Sequence, residues 1–172
     1  MVELNKQILK NMAGDDSMRI NNILTKCLMI INLILLGVAF AITFCNKDMN
    51  GLVICPEECD AYMDEDFNIM LRIIGIMFVV GVLVLIRQCM FSKKPNYIMN
   101  IVFGAITAFL SVDAAMAFVG LKKINHGDYA PENVVYLQQM DIGSVTMYVA
   151  ALVMISLVIT SILGIVKNKK DK

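Results

Sequence analysis

The stretch CPEECDAYMDEDFN, residues 55–68, sets two cysteines and six acids side by side. Those residue types could build a redox centre, a metal cage or a wetted loop. Cys55 and Cys59 have three residues between them, whereas the familiar dithiol redox spacing has two, and the neighbouring Glu57, Glu58, Asp60 and Asp64 make a thiolate scarcer. A structural disulfide among Cys45, Cys55 and Cys59 suits the spacing better, with the pairing left open. Zinc held by Cys55, Cys59 and His126 would lack a fourth ligand. Asp64, Asp66 and Asn68 match the opening of a calcium loop, but Ile69 stands where that loop needs glycine and Gly75 where it needs glutamate. These acids read more simply as the hydrated start of the next helix.

The second chemically notable residue is Asp113, an acid inside a long apolar run. A carboxylate in the middle of a bilayer costs about 2.5–3.5 kcal/mol on insertion scales, so it must face the interior of a bundle, be neutral or find a partner. Uncharged partners within the chain are Asn32 in the first run and Thr146, Tyr148 or Ser156 in the last. Three roles follow: a proton or cation site in a transport path, a hydrogen-bonding link between helices, or a pair with a basic residue of another subunit. The single histidine, His126, excludes a haem held by two histidines of this chain, and the fourteen methionines are scattered through the apolar runs. No cofactor is expected.

The elements that must position these residues are apolar. Of 172 residues, 58% are hydrophobic and only 17% charged, outside the range of soluble domains. Four runs, 27–44, 69–86, 97–121 and 145–166, each reach about 18 residues or more, the length of a membrane-crossing helix. No open strand could satisfy its backbone in lipid. The expected fold is an all-α integral membrane protein, a four-helix antiparallel bundle with outer loops 45–68 and 122–144. A short helix in the first outer loop is expected from Pro56-Glu57-Glu58, with proline at the first position and acids at the positive end of the dipole.

Orientation follows from the basic residues. Eleven of the fifteen fall in the leader 1–26, the connection after the second run and the tail 167–172, while ten of the fifteen acids fall in the other two connections. Lys and Arg mark the cytoplasmic side, so both termini are expected there. Ala39-Phe40-Ala41 resembles a signal cleavage site, but the long leader and long apolar run favour a retained anchor. Within the leader, Leu4, Ile8 and Met12 recur at the spacing of an amphipathic helix that breaks at Gly14-Asp15-Asp16.

Membrane helices associate through close packing, which favours small residues at helical spacing. Gly104, Ala108, Ser111 and Ala115 form one such face, and Ser156, Thr160 and Gly164 another. The short connection after Ile86 makes the second and third helices expected neighbours. No nucleophile, base and orienting group assemble into a catalytic constellation, and basic density is too low for nucleic acid. The expected function is non-enzymatic: an accessory, structural or assembly subunit, partnered by the lipid bilayer and by other membrane subunits or itself. A small ion or solute channel or transporter using Asp113 is the alternative, and a membrane thiol oxidoreductase using Cys55 and Cys59 a third.

Overall fold

The computed structural model describes residues 2–47, 57–91, 96–124 and 131–170. They form four α-helices: α1 (Val2–Lys47), α2 (Glu57–Phe91), α3 (Tyr97–Ile124) and α4 (Pro131–Lys170). Stretches within them, Arg19–Asn46, Phe67–Met90, Tyr97–Lys122 and Leu137–Lys167, are long and apolar enough to cross a membrane. The helices extend beyond the apolar runs at their ends. Residues assigned to outer loops, such as Lys122 and Asp141, belong to α3 and α4. Helical backbone needs no apolar side chains, so an apolar run marks only the part that lipid could cover.

Two local expectations are corrected. α1 continues through Gly14-Asp15-Asp16 without a break, since a lone glycine costs a helix only about 1 kcal/mol. The turn expected as a separate short helix is the start of α2, which begins at Glu57 and runs unbroken to Phe91. α3 opens with a cap that the sequence allows: Asn96 Oδ1 accepts a hydrogen bond from the Met99 backbone N–H at 3.2 Å.

The four helices close into a square. α4 packs along both α3 and α1, and α2 packs along α1, whereas α2 and α3 touch least of the four neighbouring pairs. Two apolar clusters fill the interior. One gathers Leu36, Phe67, Ile74, Phe118, Met140 and Met147, and the other Met29, Phe103, Met154 and Leu157. Close approach of α3 to α4 depends on glycine. A Cβ on Gly104 would lie 2.9 Å from Val158 Cγ2 and 3.2 Å from the Met154 carbonyl oxygen, and one on Gly143 would lie 2.6 Å from the Phe118 ring. Outward faces carry Ile34, Val79, Leu83, Phe109, Leu152 and Leu163, all exposed. Water would leave that much apolar surface unstable, whereas lipid would cover it.

Candidate functional site

Packing of α3 on α4 sets the rotation of α3 and hence the position of Asp113. Asn100, Gly104, Ala108, Ser111, Ala115 and Phe118 recur at helical spacing and are buried, so the opposite face turns outward. That face holds Ile98, Val102, Ile106, Phe109 and Met116, with Asp113 among them, all exposed. Asp113 therefore lies outside the bundle, which removes the interior position and leaves neutrality or a partner of the three alternatives.

Beside Asp113 the poorly joined α2/α3 seam opens into a cleft of about 180 Å³. Ile69, Met70 and Ile73 line it from α2, and Asp113, Ala114, Ala117, Gly120 and Leu121 from α3. At its other end the seam is closed. There Gln88 Nε2 donates to Asn100 Oδ1, and Arg87 Nη1 reaches Met99 Sδ at 3.3 Å. The short connection joins α2 and α3 at that end. Gln88, Asn100 and the Asn21–Tyr97 contact, 3.4 Å from Nδ2 to Oη, were missed in the sequence. Gln88 lies just past the apolar run of α2, and its hydrophilic neighbours Arg87 and Lys93 made it resemble part of the connection.

Asp113 and Asn32 do not meet. Asn32 is buried in the interior between the two apolar clusters, and both of its side-chain amide atoms lack a hydrogen-bond partner. Ser111 Oγ is buried and unpartnered as well. The other expected partners of Asp113 are engaged elsewhere or turned away: Thr146 is buried, Tyr148 is exposed, and the Ser156 hydroxyl donates to the Leu152 carbonyl at 2.9 Å. Of the two small-residue series, Gly104, Ala108, Ser111 and Ala115 are all buried. In α4 the series divides, with Gly164 buried against Tyr97 and Asn21, Thr160 half-buried and Ser156 exposed. A four-residue spacing drifts around a helix, so its two ends need not face the same neighbour.

Arg72 is the charged residue closest in level to Asp113. Carrying the Gln88–Asn100 register along the seam puts Asp113 level with Gly75, three residues, or roughly 4.5 Å of helical rise, from Arg72. Arg72 is exposed on the outward face of α2 with Ile76, Val79 and Val80, five residues inside the start of the Phe67–Met90 stretch. Neither Arg72 nor Asp113 makes a hydrogen bond or ion pair among the described residues. Lys122 and Asp141 do pair, at 2.6 Å, but with side chains 36% and 57% exposed the bridge adds little stability.

Among the described residues no three His, Cys, Asp or Glu side chains gather to hold a metal ion. Cys45 is exposed with a free thiol, as are Cys27 and Cys89. Cys55 and the side chain of Cys59, on which both the disulfide and the thiol oxidoreductase expectations rest, lie outside the described residues. No known protein family, curated protein or solved structure matches the chain.

Proposed function

We propose that this chain is a non-enzymatic multi-pass membrane protein, an accessory or assembly subunit that works by lateral association of helices within the bilayer. Its helices would cross as an antiparallel bundle with both termini cytoplasmic, as the basic residues favour. One observation carries the reading. Asp113 stands exposed on an apolar helix face, beside an open cleft, with no partner among the described residues. A polar group in hydrocarbon is strongly driven to find a hydrogen-bonding or charged partner on another helix. Here the bundle leaves room for that helix at the α2/α3 seam.

Asp113→Asn tests the reading on protein extracted in mild detergent, with the mass of the intact assembly as readout. The parent is expected to run as an assembly larger than one chain and the variant to lose it. A parent that remains a single chain in bilayer discs would refute the proposal.

A second reading, a small channel or transporter, draws support from the interior instead of Asp113. Unpartnered polar atoms of Asn32 and Ser111 lie between the apolar clusters, where water or a solute could satisfy them. Flux in proteoliposomes that Asn32→Leu abolishes, with assembly unchanged, would favour this reading over the first.

A further inference from the structure

We infer that the open α2/α3 face joins two copies of this chain, Arg72 of each pairing with Asp113 of the other. The inference rests on the proposed membrane association and names its partner.

Both charges point away from the bundle, and both lack a partner among the described residues. They stand on adjacent helices of the same face, within about one helical turn in level. Lysine or arginine side chains are long enough to span such an offset by bending along the helix. Within one chain the two residues are directed differently. Arg72 shares the outward side of α2 with Ile76 and Val79, whereas Asp113 borders the cleft.

Symmetry supplies the partner. A two-fold axis parallel to the helices and passing in front of the seam puts α2 of one copy opposite α3 of the other. The same operation brings Arg72 to Asp113 twice, as a self-complementary two-fold contact requires. The face also permits close approach. Gly120 lines the cleft, and a Cβ built on it would meet nothing within 4 Å. A foreign helix carrying one base could satisfy Asp113 but would leave Arg72 unmatched. A second copy satisfies both.

The test exchanges charges in the full chain, reconstituted in bilayer discs or mild detergent, with native mass and energy transfer between labelled copies as readouts. The parent is expected to dimerise. Arg72→Asp and Asp113→Arg, each alone, juxtapose like charges and should raise the dimer dissociation constant roughly tenfold or more. The double variant restores opposite charges and should dimerise again. Mixing the two single variants should give a heterodimer, because one then carries two acids on this face and the other two bases. Recovery in the mixture shows that each variant is folded.

A monomeric parent, single variants that dimerise like the parent, or a mixture that stays monomeric would each overturn self-pairing. If the parent instead holds a foreign chain in fixed ratio and loses it on Asp113→Asn, self-pairing fails while the accessory-subunit reading survives. If nothing depends on Asp113, both fail.

Discussion

Replacing Gly104 and Gly120 by alanine, one at a time, separates helix packing from helix propensity, because both lie in α3 and only one touches another helix. Each substitution gains about 0.8–1 kcal/mol of intrinsic helix preference. At Gly120 the new methyl meets nothing within 4 Å in its own chain, so within one copy the gain stands alone. At Gly104 it would arrive 2.9 Å from Val158 Cγ2, 3.2 Å from the Met154 carbonyl oxygen and 3.6 Å from Leu157 Cδ2. The Val158 side chain can turn aside. The carbonyl cannot move unless α4 moves, and ordinary contact needs a few tenths of an ångström more. Separating two helices across a packed seam costs about 1–3 kcal/mol. The two variants should therefore differ by about 1–3 kcal/mol, or roughly 5- to 150-fold in the folding equilibrium at 1.4 kcal/mol per tenfold. Reversible unfolding in mixed micelles, followed by circular dichroism, measures that difference. Equal stability, or Gly104→Ala the more stable, would refute the α3/α4 packing.

Gln88→Leu removes the Asn100 partner inside the bundle and should cost about 1–3 kcal/mol, while Gln88→Leu with Asn100→Leu should recover part of the loss. Additive effects in that double-mutant cycle would show that the pair is not coupled. The three exposed thiols report orientation, since Cys45 lies towards one end of α1 whereas Cys27 and Cys89 lie towards the other end of the bundle. In single-cysteine variants, a membrane-impermeant maleimide should label Cys45 on sealed cells, and Cys27 and Cys89 only after permeabilisation. The reverse pattern would invert the proposed topology.

The position of Asp113 shows how far the sequence could be read. At helical spacing Asp113 is nearly opposite Gly104, so the small-residue face and the acid cannot both point inward. An interior position was one of three alternatives for Asp113, and it is the one that an inward small-residue face excludes. Packing against α4 resolved the conflict in favour of Gly104, Ala108, Ser111 and Ala115. The level of Arg72 beside α3 likewise depends on how α2 and α3 are aligned.

Gly81 and Gly143 were not singled out, although a Cβ on Gly81 would lie 2.9 Å from Leu33 and one on Gly143 would press into the Phe118 ring. Each is a single small residue among large ones, without the repeated spacing that drew attention to Gly104. What makes it tight is the side chain it meets on another helix.

The four long apolar helices were set by the sequence itself, because apolar length and the need to pair every backbone group are local properties of the chain. Tertiary structure decided which side of each helix is buried, where the α2/α3 seam stays open, and that Asp113 borders it from outside while Asn32 remains within. Those outcomes depend on the rotation and alignment of helices packed against one another, which no single run of residues contains.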